Sequence, residues 1–270
     1  YGKSKGMEDM VGPLGFTDMD PEGMLTWGFD QLGTMPTIYN YPYYPEHIKA
    51  IGGFEIDNKY VENKLMVPEA VPEKYAKIAA MIQKRYNLHV VKLTKKMVFD
   101  EGYGQKIFDL INATYSHLYG YSQLTQKQIN QYIKMYLGML DLEFVTLIED
   151  WSGDERKLVG AGISMPSLSI ALQKCHRGRM LPFGWWHLLR AIKFHKTKIV
   201  DLLLVGILPE YRAKGANALL FADLIPIYQK YGIEWGETQV EMETNTAVQG
   251  QWGPLSPIQH KRRECYIKKI

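Results

Sequence analysis

The stretch IVDLLLVGILPEYRAKGANALLFADLIPIYQK, residues 199–230, decides the fold that we expect for this chain. Residues 199–208 form an almost unbroken apolar run of strand length, which is typical of a buried strand. Residues 211–217 form a small-residue turn that carries two cations. From residue 218 to residue 228, apolar side chains recur at helical spacing. The stretch therefore predicts a strand, a basic turn and a helix in direct succession.

The basic turn predicts a phosphate site. A helix begins with backbone amides that lack a helical partner, and its dipole favours an anion there. Arg212 and Lys214 add positive charge beside those amides. The turn is not a P-loop, because no Gly-Lys-Ser/Thr ends it, and it lacks the three glycines of the dinucleotide fingerprint. The alternative interpretation is an ordinary strand-to-helix connection whose cations are solvated.

Composition limits the classes of protein to consider. The chain has 270 residues, of which 46% are hydrophobic and 23% charged, a globular composition with room for one large domain or two smaller ones. The net charge of +3 favours no nucleic-acid partner. Its two cysteines suit a reducing compartment, no Cys/His cluster has zinc spacing, and no apolar run is long enough to span a membrane. We therefore expect a cytoplasmic protein without a bound metal.

The central turn resembles the acyl-CoA diphosphate loop of the GNAT N-acyltransferase superfamily, in which a strand leads into Gln/Arg-x-x-Gly-x-Gly/Ala at a helix start. Arg212 and Gly215 match that motif, whereas Asn217 replaces its last small residue. The order of the surrounding elements is also similar to the GNAT order. These are a strand at 88–93, helices at 104–119 and 122–140, a hairpin at 144–148 and 158–165, the central stretch, and strands at 238–244 and 263–270.

The resemblance implies an α/β fold (a mixed α+β sheet) with three parts. Residues 88–270 would form a GNAT-like acyltransferase domain, and residues 68–87 a connecting helix or linker. Residues 1–67 would be the C-terminal half of a degenerate, truncated first GNAT-like unit, as in tandem bacterial proteins of this type. The residues that carry this last likeness are Asn40, Tyr44, Gly53 and Phe54.

The resemblance also implies a substrate and a cofactor site. Acetyl-CoA or a longer acyl-CoA would be the donor, its carbonyl polarised by a backbone amide where two parallel strands diverge. The residues expected to contact this donor are Ile207, Leu208, Arg212, Lys214, Gly215, Ala216, Asn217 and Asn245.

Candidate acids and bases follow the central helix. Glu241 and Glu243 lie two apart on one face of the predicted strand 238–244, and we choose Glu243 as the base that deprotonates the amine. The GNAT pattern places a tyrosine, the usual general acid, where this chain has Trp252. An indole does not protonate a thiolate, so we take Tyr266 as the substitute acid.

We therefore expect an acyl-CoA-dependent N-acyltransferase that acts on a small-molecule amine or an amino-acid-like acceptor, with a homodimer left open. Trp252 favours a different hypothesis, a non-catalytic acyl-CoA-binding module. A Fem-like aminoacyl-tRNA-dependent transferase is a third alternative, which the small net charge does not favour. An insertion at 166–198 is aromatic and basic; it would either line a channel or pack as a lid with its cations in water.

Overall fold

A computed structural model describes residues 1–17, 20–138 and 140–270. The described residues form one sheet with helices on both of its faces. The strands are β1 (Asp9–Gly12), β2 (Met24–Trp27), β3 (Glu55–Met66), β4 (Leu88–Lys92), β5 (Val145–Asp150), β6 (Lys157–Pro166), β7 (Ile199–Ile207), β8 (Trp235–Thr238), β9 (Glu241–Met242) and β10 (Ile258–Lys269).

The α-helices alternate with these strands, and a π-helical turn at Ile133–Leu137 follows the fifth of them. They are α1 (Tyr43–Ile51), α2 (Glu73–Tyr86), α3 (Lys95–Phe99), α4 (Tyr103–Tyr115), α5 (Gln126–Tyr132), α6 (Ser169–Gln173), α7 (Gly184–Lys193), α8 (Pro209–Arg212), α9 (Asn217–Lys230) and α10 (Thr246–Gln251).

The sheet is mixed, as the sequence predicts. Its strand order is β1-β10-β3-β8-β7-β6-β5-β4, with β2 added to β10 and β9 added to β3. β7 and β8 run parallel, and the other described pairs of strands run antiparallel. The single parallel pair lies near the middle of the sheet, next to the predicted turn.

The central stretch forms the predicted strand, turn and helix as β7, a turn and α9. Pro209 begins the extra short helix α8, because its fixed φ suits a first helical position. Leu219 and Leu220 of α9 are buried against Ile207 of β7. This packing holds the start of α9 beside the end of β7.

Helices cover both faces of the sheet because neighbouring strand residues point to opposite sides. On one face, α4 packs against Leu147 of β5 in a cluster of buried apolar side chains. On the other face, α2 and α9 pack against Ile148, the next residue of β5. The fold therefore has three layers, with the sheet in the middle.

Residues 1–67 share the sheet of residues 88–270. β3 lies between β8 and β10 and pairs with both of them. The boundary at residue 67 therefore does not separate two sheets, and the derivation of residues 1–67 from a degenerate first unit stays a prediction. The predicted connecting helix is α2, which packs on α9.

The strand predicted at 238–244 is interrupted. β8 ends at Thr238, and the two residues of β9 pair with Tyr60 and Val61 of β3 instead of continuing beside β7. Because β9 pairs with β3, β8 is not extended beside β7 after Thr238.

Candidate functional site

β7 and β8 separate in the middle of the sheet. They pair at four positions, from Ile199 with Trp235 to Leu202 with Thr238. The next residue, Leu203, is an extra residue on β7, because Ile163 and Ser164 of β6 face Leu204 and Leu202. Such a bulge bends and twists its strand, which carries the rest of β7 away from β8. The predicted divergence of two parallel strands is confirmed, and it begins at Leu203.

The opening between β7 and β8 joins a cavity of about 750 Å³. Apolar side chains from both faces of the sheet form most of its lining. Among those that line it are Ile107, Ile111, Leu137, Leu202, Leu204, Phe221, Val248 and Leu255. A volume of this size accommodates a ligand much larger than an acetyl group. The cavity therefore suits a substrate with a long apolar part.

Glu241 is the carboxyl group at this opening. It lines the cavity, and burial raises its pKa to about 7. The indole Nε1 of Trp252 donates a hydrogen bond to Glu241 Oε1 at 2.8 Å, and Asn63 Nδ2 lies 3.5 Å from Oε2. Both neighbours are uncharged, so they offset only part of the cost of ionising the buried carboxyl. Glu241 can therefore hold or release a proton near neutral pH.

The structure does not place Glu243, our predicted base, at the cavity. β9 ends at Met242, so Glu243 leaves the sheet, and its side chain is exposed and outside the cavity lining. Its amide donates to Lys59 O at 2.8 Å, which holds the backbone there. Of the two acids that the sequence pairs, the structure brings Glu241 to the cavity.

Tyr266 is also misplaced as the substitute acid. It lies in β10, next to Ile56 of β3, and its hydroxyl donates to Glu264 Oε2 at 2.8 Å. Burial raises its pKa well above the usual range for tyrosine. Tyr266 does not line the cavity, so its position fits packing in the sheet.

Asn245 and Trp252 do line the cavity. Asn245 caps α10, because its side-chain oxygen accepts a hydrogen bond from Val248 N at 3.3 Å. Trp252 is 4% exposed and holds Glu241 through its indole. The residue that departs from the GNAT pattern therefore orients the carboxyl group of the site.

The amides of the central turn are used inside the turn. Those of residues 213 to 216 donate to the backbone carbonyls of Pro209, Tyr211 and Arg212 at 3.0–3.2 Å. For residues 213–216 the expectation that the turn amides are unpaired is therefore wrong, because one helical turn (α8) precedes Gly215 and these amides bond to nearby carbonyls. Gly215 has φ +86°, a backbone conformation that residues other than glycine rarely adopt.

The two cations of the turn differ in position. Arg212 lines the cavity, and its Nη2 donates to Ile207 O at 3.2 Å. Lys214 instead lies over the rings of Tyr211 and Tyr86, with its Nζ 4.3 and 5.0 Å from their centroids. Arg212 is therefore the cation of this turn that can meet a ligand in the cavity.

The other predicted contacts of the turn and strand lie behind the cavity. Ala216 and Ile207 are buried against α2, and Leu208 N donates to Val159 O at 3.0 Å. Asn217 begins α9 and is half-buried. The part of β7 that lines the cavity is Leu202–Val205, which precedes the predicted contacts Ile207 and Leu208 in the chain.

Helix α2 closes the gap between α9 and α10. Tyr75 of α2 stacks on Phe221 of α9, with ring centroids 4.8 Å apart, and its hydroxyl donates to Gln251 O of α10 at 2.8 Å. Phe221 in turn meets the ring of Trp252 edge-on. Phe221 and Trp252 line the cavity, and Tyr75, which is outside the lining, packs on Phe221.

Tyr115 is a site residue that the sequence does not reveal. Its hydroxyl donates to Val205 O at 3.2 Å, and Val205 N lies 3.4 Å from the same oxygen. It therefore places a hydroxyl group on the part of β7 that has left β8. In the sequence Tyr115 is one of several apolar-face residues of a helix, and no local signal separates it from core packing.

No family model matches the chain. Protein YghO of Escherichia coli K12 is 21% identical over 275 residues, covering 99% of this chain and 67% of the relative. Bacterial ceramide synthase of Caulobacter vibrioides is 19% identical over 287 residues, covering 99% of this chain and 68% of the relative. Among solved structures, the GCN5-related glucosamine N-acetyltransferase region of a fungal multi-domain β-N-acetylglucosaminidase is similar over 87% of this chain, with a TM-score of 0.51 and 10% identity.

The chain has the GNAT fold. It spans 24% of the length of the fungal protein, so the likeness concerns that region alone. The separation of β7 and β8 beside the central turn is the feature that the GNAT fold places at the same point. This likeness in fold does not by itself assign a function to any residue of the chain.

Two absences concern metal ions and membranes. Within residues 1–17, 20–138 and 140–270, no group of three or more His, Cys, Asp or Glu side chains could hold a metal ion. The helices of those same ranges include none with the length and apolarity needed to cross a bilayer.

Proposed function

We propose that this protein transfers an acyl group from an acyl-CoA thioester to the nitrogen of a long-chain amine. The observation that carries the proposal is the opening between β7 and β8, which joins an apolar cavity of about 750 Å³ with Glu241 at its edge. One curated relative is a ceramide synthase, and a ceramide is the amide of a fatty acid and a long-chain amino alcohol. The size and apolar lining of the cavity support a substrate of that class.

Glu241 is our candidate for the base. An amine must lose a proton when it attacks a carbonyl, and a base is most effective when its pKa is near the working pH. The pKa of about 7 gives Glu241 a substantial ionised fraction at neutral pH. Trp252 and Asn63 would hold the carboxyl group in place while it accepts the proton.

The exposed edge of β7 is our candidate for the site that binds the carbonyl oxygen. On the part of β7 that no longer pairs with β8, Val205 N donates to the Tyr115 hydroxyl oxygen at 3.4 Å and that hydroxyl donates to Val205 O, and a bound carbonyl oxygen would take the place of these contacts. Fixed donors of this kind stabilise the negative oxygen of a tetrahedral intermediate. Tyr115 is also our candidate for the group that protonates the departing thiolate, because the indole of Trp252 cannot do so.

The fit to the CoA part of the donor is partial. The opening between β7 and β8 suits the extended pantetheine arm, and Arg212 could pair with the diphosphate. The amides of residues 213–216 are already bonded to backbone carbonyls, and Tyr75 links α9 to α10. We therefore assign Arg212, and not the amides or Lys214, to the diphosphate.

A second candidate function is acyl-CoA binding without catalysis. The observation that favours it is Trp252, which fills the position of the usual acid and is committed to Glu241. The two candidates differ in turnover and share ligand binding.

The test uses acyl-CoAs from acetyl to palmitoyl with short amines, amino acids and long-chain amino alcohols. We expect thiol release and an amide product, identified by mass spectrometry, with long acyl chains and long-chain acceptors. Glu241→Gln should lose the product, and Glu243→Gln is the matched control that should keep it. Binding of acyl-CoA without any product would instead support the non-catalytic module, and the absence of both would overturn both candidates.

A further inference from the structure

The segment between β6 and β7 concentrates positive charge. Residues 167–198 contain no Asp or Glu, whereas the net charge of the whole chain is only +3. We call residues 167–198 the basic aromatic segment. Its lysines and arginines are Lys174, Arg177, Arg179, Arg190, Lys193, Lys196 and Lys198.

Most of these cations are free to meet a partner. Lys198 pairs with Glu234 at 2.5 Å, but the other six are exposed and form no ion pair with any acid of the described ranges. Positive charge that is held at a surface without internal partners attracts anionic groups from outside the protein.

Large apolar side chains are exposed among these cations. Leu181 and Phe183 are 75% and 72% exposed, and they lie two and four positions after Arg179 in the chain. Single exposed apolar residues are normal, but a group of them on one short segment indicates an interaction surface. The exposed apolar side chains around α7 are Met180, Leu181, Phe183, Trp185, Trp186 and Phe194.

The basic aromatic segment is nevertheless well anchored to the rest of the molecule. Leu168 and Ala171 of its first part are buried with Ala191 of α7. His195 lies 2.8 Å from Asp141, and its ring lies against Tyr231 and Phe144. One side of the segment is therefore packed on the rest of the protein, while its aromatic and basic side chains are exposed.

We propose that the basic aromatic segment docks the protein on the surface of an anionic phospholipid bilayer. Tryptophan and other amphipathic aromatic side chains favour the headgroup level of a bilayer, and each nearby Lys or Arg adds attraction to anionic lipids. A segment with large apolar side chains between cations, and with no acid, matches both requirements. An acidic protein partner would satisfy the cations but would leave less reason for so many exposed aromatic and aliphatic side chains.

The position of the segment relative to the cavity adds to the argument. Leu168 and Ile192 belong to the segment and also line the cavity. A bilayer docked on this segment would lie next to that end of the cavity. Docking does not depend on the proposed chemistry, so it can be tested without any enzymatic assay.

The experiment is co-sedimentation of the 270-residue chain with vesicles. We expect binding to vesicles that contain phosphatidylglycerol, weak binding to pure phosphatidylcholine, and release by salt. Arg177→Glu with Arg179→Glu should weaken binding at least about tenfold, because two attractive charges become repulsive. The matched control reverses two exposed helical cations elsewhere, Lys127→Glu with Lys134→Glu, and should change binding less than about twofold.

The apolar part of the proposal has its own variant. Phe183→Ser with Trp185→Ser should also weaken binding to the phosphatidylglycerol vesicles at least about tenfold. Phe16→Ser, at a side chain that is 91% exposed far along the chain, is the control and should bind as the unaltered protein does. Equal binding by all variants, or no vesicle binding by the unaltered protein, would overturn the proposal. Concentration-dependent dimerisation that these substitutions abolish, without vesicle binding, would overturn it in favour of a second copy.

Discussion

Glu62, which is buried, and Glu241, which is half-buried, are two acids in the same part of the sheet, and their pKa values shift in opposite directions. Glu62 on β3 accepts hydrogen bonds from Lys261 Nζ at 2.7 Å and Arg263 Nε at 2.6 Å. These two cations lower its pKa, although burial alone would raise it. Glu241 on β9 has only uncharged neighbours, and burial raises its pKa to about 7.

The difference teaches where to look for chemistry in this molecule. Glu62 belongs to a buried network in which Lys261 also contacts Glu237, and Glu237 meets His260 Nε2 at 2.5 Å. A carboxylate fixed between two cations stays ionised and holds strands together. A carboxyl group that faces a cavity and has no cation bonded to it can exchange its proton. Desolvation acts to raise the pKa of both acids, and the neighbouring charge decides which of them can act as a base.

The largest effect that we expect is loss of stability in Glu62→Gln. This change removes the negative charge between two buried cations, which should cost about 3–5 kcal/mol in the free energy of unfolding. Chemical denaturation measures it, and insolubility of the variant would agree in direction. Glu234→Gln breaks the exposed pair with Lys198 and should change stability by less than about 0.5 kcal/mol. A loss under about 1 kcal/mol at Glu62 would show that the network does not stabilise the sheet as described.

The second effect concerns activity. Glu241→Gln keeps the shape of the side chain but removes the base, so amide formation should fall about a hundredfold or more. The measurement is single-turnover product formation at saturating substrate, with the unfolding curve recorded in parallel. Full activity in this variant, with Glu243→Gln inactive instead, would restore the original sequence-based choice.

The third effect is a pH dependence of stability. The pKa of Glu241 is about 7 in the folded protein and near 4.5 in the unfolded chain, so ionisation favours unfolding. The resulting loss in the free energy of unfolding is small below about pH 4.5 and grows as the pH rises through about 7. Between about pH 5 and pH 8 the unaltered protein should lose about 2 kcal/mol relative to Glu241→Gln.

Burial also raises the pKa of Asp201 to about 7. Because Asp201 is present in both the unaltered protein and Glu241→Gln, the difference between their free energies of unfolding does not contain its contribution. Parallel pH profiles of the free energy of unfolding would contradict the assignment of a raised pKa to Glu241.

The smallest effect tests the indole contact. Trp252→Phe removes the hydrogen bond that lowers the pKa of Glu241, so the acidic limb of the pH–rate profile should move up by less than about one unit. Trp151→Phe is a matched control, because Trp151 Nε1 donates to Glu149 Oε2 at the same 2.8 Å, outside the cavity lining. An acidic limb that stays in place in Trp252→Phe would mean that the profile reports another group.

Local patterns predicted the centre of the fold well. The strand, turn and helix of residues 199–230 depend on the spacing of neighbouring side chains, and the structure has them as β7 and α9. Asn245 caps the helix that follows it directly in the chain, whereas we predicted for it only a contact with the donor. Local patterns did not predict the hydrogen bonds of the turn amides, because these bonds depend on the extra helical turn α8.

Partners distant in the chain decided the rest of the site. The sequence pairs Glu241 with Glu243, and only the end of β9 at Met242 turns one inward and leaves the other in water. Tyr115 reaches the site because α4 packs across β7, 90 positions later in the chain. The insertion of β3 between β8 and β10 is of the same kind, because it joins segments about 175 and 200 positions apart.

By itself the sequence determined the mixed α/β character of this protein, the central strand and helix, and the basic, aromatic character of residues 167–198. Periodicity and composition encode these properties because they depend on neighbours along the chain. Only the tertiary structure decided which acid faces the cavity, which cation of the turn can meet a ligand, and which aromatic side chains stay exposed. Burial and proton affinity depend on what packs against a group, and those neighbours come from remote parts of the chain.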